Sequence, residues 1–275
     1  MGFPYIGCGL GLRPTYYSDI LNNSVDVDWF EIISENYMVP GGNPLAMLER
    51  VREKYPLVMH GVSLSIASTD PVNLDYLEEL KSLANRIEPM WISDHLAWTG
   101  IEGVNLHDLL PIPYTQEALH HIAEKIRIVQ DYLERPILIE NPSTYISSIE
   151  SEMDEADFLN ELCERENCSL LLDINNIYVS AFNHNFDAVT YLNKIQPANV
   201  VQMHIAGHTN YGTHIIDTHD QSVCDDVWAL MEIASKRFPN ASPMLERDDN
   251  FPPFIEIKSE FDKMRKTHLS ARDRK

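Results

Sequence analysis

Cationic side chains are scarce in this 275-residue chain. Twenty-one Lys and Arg stand against 42 Asp and Glu, for a formal net charge of −21 at pH 7. Such a surface offers no broad cationic track for a phosphate backbone and no patch for anionic lipid, so neither nucleic acid nor membrane is an expected partner. Cysteine is scarce too. Cys8, Cys163, Cys168 and Cys224 form no CxxC pair and no dense framework, which argues for free thiols in a reducing, cytoplasmic setting. No apolar run approaches the roughly 18 residues of a membrane span. The opening MGFPYIGCGLGLRP lacks the basic start and apolar stretch of a secretory leader. No GxGxxG turn is present either: GCGLGL has no helix cap after it and reads as a tight barrel strand. No low-complexity linker or internal sequence repeat divides the chain.

What is present is a rhythm. Eight short apolar runs recur, at 5–13, 29–34, 56–61, 91–96, 137–142, 170–176, 200–207 and 243–248. Runs of this length suit strands buried on both faces, as in parallel sheets. Between them lie segments of helical spacing, at 44–55, 74–87, 115–133 (opened by a Thr115 cap), 153–166, 186–195 and 223–237. Eight strands alternating with helices over about 250 residues predict a (β/α)8 TIM barrel, one domain across residues 1–275 with a polar, fraying tail from about 266. A doubly wound open sheet is the alternative. Trp29, Trp91, Trp98 and Trp228 are expected in core packing, and Pro111 and Pro113 are expected to stiffen a loop at 107–115.

The polar residues at the strand ends carry the chemistry. In strand order they are Arg13; Glu35 and Asn36; His60; Asp94 and His95; Glu140 and Asn141; Asp173, Asn175 and Asn176; His204; and Glu246, Arg247 and Asp248. A barrel of this class keeps its active site at the strands' C-terminal ends. One strand-end histidine is ordinarily a hydrogen-bonded structural residue. Three histidines and three carboxylates on six successive strands cost too much unless they are paired or hold cations. The segment HIAGHTNYGTHIIDTHD, 204–220, adds Asp217 and His219 at i, i+2 spacing. Imidazole and carboxylate without thiolate suit Zn, Mn or nonhaem Fe. Eight candidate ligands exceed what one ion needs, so two or three ions are expected, with Glu140 as the bridging carboxylate. His208 is a ligand or proton-shuttle candidate, and His214 is expected to face solvent.

The strings GLGLRP, WFEIISENY, HGVSLSI, SDHLAW, HDLLPIPYT, ENPSTY, LLDINNIYVSAFNH, HIAGH, IDTHD and LERDDNFP resemble the DUF692 family of multinuclear nonhaem iron-dependent oxidative enzymes over roughly residues 6–254. The resemblance implies a xylose-isomerase-like barrel binding two or three irons. It implies use of O2 to modify cysteine, or another residue, of a ribosomally made precursor peptide, with a small partner protein presenting the leader. It places the iron ligands on His60, His95, Glu140, Asp173, His204, Asp217, His219 and Glu246. Arg13, Asn36, Asn141 and Asn175 are assigned around the ligands or toward substrate. Two rivals stand beside it: a Zn- or Mn-dependent hydrolase or isomerase on the same barrel, and a non-catalytic metal- or peptide-binding scaffold.

Overall fold

A computed structural model of the chain describes residues 2–273. Its strands are β1 (Gly9–Gly11), β2 (Trp29–Ile33), β3 (Leu57–Gly61), β4 (Ile92–His95), β5 (Trp98–Ile101), β6 (Val104–Leu110), β7 (Leu138–Glu140), β8 (Ser169–Asp173), β9 (Val200–Ile205), β10 (Thr209–Asn210), β11 (Ile215–Ile216) and β12 (Ser242–Leu245). Its helices are α1 (Tyr17–Asn22), α2 (Asn43–Arg52), α3 (Leu74–Ile87), α4 (Gln116–Leu133), α5 (Glu155–Glu166), α6 (Ile174–His184), α7 (Ala188–Lys194), α8 (Asp225–Arg237) and α9 (Phe254–Arg272). Eight strands close into a barrel in the order β1-β12-β9-β8-β7-β4-β3-β2. This is the (β/α)8 expectation, and closure removes the doubly wound alternative. No helix among the described residues is long and apolar enough to cross a membrane.

Local chemistry explains the element boundaries. The side chains of Asn73, Thr115 and Asp154 accept backbone N–H groups at the starts of α3, α4 and α5, each such cap contributing about 1 kcal/mol. With few glycines in the chain, Glu88, Glu134, Asn167 and Asn185 take the left-handed turn that ends a helix. Glycine does appear where backbones crowd: a Cβ on Gly9 would enter the buried Trp29 ring, so the GCGLGL run serves packing.

Four details differ from the sequence reading. The run at 170–176 stops being a strand at Asp173, whose carboxylate caps α6 through the Asn176 N–H at 2.7 Å. The loop expected at 107–115 begins inside an antiparallel hairpin, β5–β6, and only its proline end is irregular. Trp98 belongs to that hairpin rather than to the deep core. The polar stretch from 266 is helix through Arg272, anchored by buried His268 and Ala271; an amphipathic last helix keeps its register even where most of its faces are charged.

Contact density divides the chain into two compact units. One comprises residues up to Phe30, Ser143–Tyr145 and those from Leu171; the other comprises Glu31–Pro142 and Ile146–Leu170. In the second unit β3 pairs with β4 and β4 with β7, with His60 opposite Ser93 and His95 opposite Glu140. In the first unit β12 pairs with β9 and β1 with β12, with His204 opposite Met244.

Candidate metal centre

The second unit holds a compact cluster of three. Parallel register sets His95 and Glu140 side by side on neighbouring strands. His60, on the strand beyond, brings its ring centroid to 4.6 Å from that of His95. Both Nε2 atoms face one oxygen, Glu140 Oε2, at 3.2 and 3.3 Å. The other nitrogens are used locally. His60 Nδ1 lies 2.8 Å from Ser93 Oγ, whose own hydroxyl reaches Met59 O at 3.3 Å, and His95 Nδ1 lies 3.1 Å from Gly61 O. A carbonyl only accepts, so His95 Nδ1 carries the proton. Ser93 spends its proton on Met59 O, so His60 Nδ1 carries one as well. Two imidazole nitrogens and a carboxylate therefore converge on one buried point, a set that a cation would suit. Ligands about 2.1 Å from an ion lie about 3.0–3.4 Å apart in octahedral or tetrahedral geometry, and the 3.2 and 3.3 Å separations match.

The first unit holds a larger cluster. Asp173 and His204 are fully buried, and Glu246 and His219 nearly so. His204 Nδ1 is 3.1 Å from Glu246 Oε2 and 3.9 Å from Asp173 Oδ2. His219 Nε2 is 2.7 Å from Asp217 Oδ1 and 4.0 Å from Asp173 Oδ2, while its Nδ1 is 3.3 Å from both Glu246 Oε2 and Asp248 Oδ2. His219 itself adopts a left-handed backbone at φ 47°, a cost usually met where function over-determines a residue. Asp173, His219 and Glu246 each point an atom close enough to share one ion.

Electrostatics agree with a site awaiting positive charge. Burial pushes Asp173 up to about 7, against the lowering pull of His219 and His204. Burial would lower His219, but Asp217 and Glu246 hold it well above its ordinary value. Burial would raise Glu246, but His204 and His219 hold it well below the usual carboxylate range. Protons are thus bound tightly in places where a metal would replace them. Every donor is nitrogen or oxygen, a set that fits Fe, Mn or Zn.

The surrounding residues sort cleanly. Arg13 bridges Asp248 and the far oxygen of Glu246, Oε1 at 3.5 Å, so this one guanidinium steadies a carboxylate whose other oxygen faces the histidines. Arg247 turns away to Glu260 at 3.1 Å. Asn175 Nδ2 donates to Asp217 Oδ1 at 2.7 Å, and its Oδ1 lies 2.8 Å from His208 Nδ1. Through this amide His208 meets Asp217. Asn141 is buried, and His214 is exposed beside Tyr211. Asn36 is exposed at the end of a short turn. Its neighbour Glu35 instead accepts from Val62 N, Ser63 N and the Tyr76 hydroxyl at 2.7–2.9 Å, fixing the loop after His60. Asp94 supports the same loop through Leu64 N at 3.2 Å. Burial, and then Glu35, hold it well above the usual carboxylate range.

Sequence reasoning missed three residues: Ser93, Glu31 and Gln202. Glu31 is a buried acid inside the apolar run of β2. Gln202 Nε2 lies 2.8 Å from His204 Nε2. Both Ser93 and Gln202 precede a candidate ligand by two on a strand, hence lie on its face; that period was the available signal.

Comparison with known proteins gives a matching family model, described as the RiPP precursor modification enzyme MbnB/TglH/ChrH, over residues 7–268. A UPF0276 protein of Caulobacter vibrioides is 52% identical over 270 residues, covering 98% of this chain and 96% of its own. A UPF0276 protein of an Anaeromyxobacter species is 48% identical over 248 residues, covering 90% and 88%. Among solved structures, a D-tagatose 3-epimerase-like protein matches with a TM-score of 0.64 at 15% identity, covering 98% of each chain. Endonuclease IV from Thermus thermophilus matches with a TM-score of 0.59 at 14% identity, covering 99% and 100%. At such identities these two share the fold.

Proposed function

We propose, for a chain that belongs to the RiPP precursor modification enzymes of the MbnB/TglH/ChrH family, that it is an iron- and O2-dependent oxidative enzyme acting on cysteine, or another residue, of a ribosomally made precursor peptide. The observation that carries this reading is the pair of buried histidine–carboxylate clusters on barrel strand ends in a chain of that family. His60, His95 and Glu140 would hold one ion, and Asp173, His204, Asp217, His219 and Glu246 the rest, two or three in all. When bound, iron would supply Lewis acidity toward a peptide thiolate and the electrons that O2 takes up.

The chain's own contribution is preparation. Gly61 O and Ser93 Oγ hold the two Nδ1 protons of His95 and His60, turning both Nε2 atoms toward Glu140. Asp173 is fixed by the Asn176 N–H on one oxygen and presents the other. Arg13 pins Glu246 from behind. Such supports set ligand basicity and direction. A small leader-binding partner protein, as the family resemblance implies, would bring the peptide; a negative surface suits a cationic leader.

Co-expression with a cysteine-bearing precursor peptide, sought among short reading frames beside the coding sequence, tests the reading. A peptide mass change is expected in air and not under anaerobic conditions, with iron bound to the purified protein. An unmodified peptide in the presence of iron-loaded protein and partner, or equal conversion without O2, overturns it. Hydrolysis or sugar isomerisation by a zinc- or manganese-loaded sample would install the rival enzyme instead.

A further inference from the structure

Behind the first-unit cluster a chain of polar contacts has a defined direction. Asp217 carboxylate can only accept, so Asn175 must turn its amide nitrogen there, at 2.7 Å. Its oxygen then faces His208 Nδ1 at 2.8 Å, and that nitrogen must carry the ring proton. His208 Nε2 is left as a bare lone pair. It faces Cys224 Sγ at 4.0 Å, the loose spacing common in resting thiol–imidazole pairs. Tyr178 stacks on the His208 ring at 5.2 Å and fixes its plane, while its own hydroxyl is held by Asp226 at 3.0 Å. A thiol, an imidazole base and an orienting amide are the parts of an activated nucleophile.

Two further observations support reactivity. Cys8, Cys163 and Cys168 are buried, and Cys224 is the one cysteine with partial exposure. Cys224 also sits at the N-cap of α8, with its side chain making no capping hydrogen bond. Burial holds His208 below its ordinary value despite Asp217, so it is a neutral base. The charged or titratable groups on the neighbouring elements are Asp225 and Asp226 in the first turn of α8, Tyr178 on α6, which donates to Asp226, and Glu260 of α9, which accepts Val223 N at 2.7 Å.

We propose that Cys224, His208 and Asn175 form a thiol-exchange site whose ligand is a disulfide. The site is separate from the oxidative reading above and does not rest on it. Cys224 passes its proton to His208 Nε2, and its sulfur attacks one sulfur of the incoming disulfide. A bond to Cys224 Sγ forms as that S–S bond breaks, and the leaving thiolate recovers the proton from His208. Cys224 is oxidised to a mixed disulfide and the incoming disulfide is reduced by the same two electrons.

The test uses the whole protein with 4,4′-dithiodipyridine as a neutral probe, following thiopyridone release by stopped flow. One fast thiol is expected at about pH 7, absent in Cys224→Ser, and slowed at least about tenfold in His208→Gln and His208→Phe. In strong base, well above a free thiol's range, a base partner is no longer needed, so native and His208 variants should converge. Circular dichroism checks that each variant is folded. Persistence of the fast phase in Cys224→Ser, or equal rates at pH 7 in both folded His208 variants, overturns the proposal. Replacing the probe by glutathione disulfide or by a cationic cysteine-peptide disulfide then tells the two sources apart. Asp225 and Asp226 favour the cationic peptide, and failure of both to exchange overturns the site.

Discussion

His60 and His95 hold their rings 4.6 Å apart and turn both Nε2 atoms on the same oxygen of Glu140. Register makes this arrangement, because His95 and Glu140 are opposite one another on adjacent parallel strands. Glu140→Ala should therefore purify with at least one metal ion fewer per chain, by elemental analysis, and lose turnover of the peptide while its circular dichroism stays native. His204→Ala should do the same from the other cluster. Full metal content and turnover in Glu140→Ala would remove that residue from the ligand set.

Ser93 and Gln202 are expected to act on metal affinity without touching metal. Ser93 Oγ receives His60 Nδ1 at 2.8 Å, and Gln202 lies 2.8 Å from His204 Nε2. A half-turn of the Gln202 amide exchanges its nitrogen for its oxygen, which moves the His204 proton to Nε2 and opens Nδ1 toward Glu246. Ser93→Ala and Gln202→Leu should each weaken metal binding about 10- to 100-fold. Chelator competition reads this directly. Unchanged affinity in both would mean that packing alone orients the rings.

The fold was legible because its information is periodic. Buried parallel strands such as LVMHG and LLLD read as apolar runs, and a cap such as Thr115 announces a helix. The candidate ligands were legible because a charged residue ending such a run has no apolar purpose. The hairpin β5–β6 was hidden: Val104–Leu110 is exposed on most of its length, so its apolar and polar residues follow no burial rule. Glu35 and Asn36 could not be told apart, because a 3-10 turn after β2 rotates Glu35 inward and Asn36 out, a choice of about 100–120° per residue that side-chain chemistry does not encode. His208 and Cys224 meet only through tertiary structure, and no spacing in the chain announces them.

The last helix should prove structural. His268 and Ala271 are buried, His268 lies stacked with Tyr5 at 5.8 Å, and Arg272 covers the same Tyr5 ring at 4.0 Å. Ending the chain at residue 265 removes those contacts and should lower unfolding free energy by about 2 kcal/mol or more. Urea denaturation measures it. A shift within about 0.5 kcal/mol would return the segment to a frayed tail.

The metal-free protein should lose stability as pH rises above 6.5. Asp173 has a folded value of about 7 against an ordinary 3.8, raised by burial. A raised acid favours the folded state while protonated, so its contribution is present below 3.8 and falls away as pH climbs to about 7. His219 is held well above its ordinary 6.5 by Asp217 and Glu246 although burial opposes them; its contribution is complete below 6.5 and is lost as pH passes its folded value. Glu246, held well below 4.5, contributes throughout this range and fades only in acid. His268, pushed down to about 4 by burial, pulls the opposite way, but only below 6.5. From pH 6.5 to about 8.5, then, the melting temperature of the metal-free protein should fall, and Asp173→Asn should flatten the lower part of that slope. Metal-loaded protein should show the reverse trend, since a cation competes with those same protons and binds better as they leave. A metal-free melting temperature that rises with pH across this window would mean that the clusters are not proton-loaded, and the case for cation replacement would lose its electrostatic half.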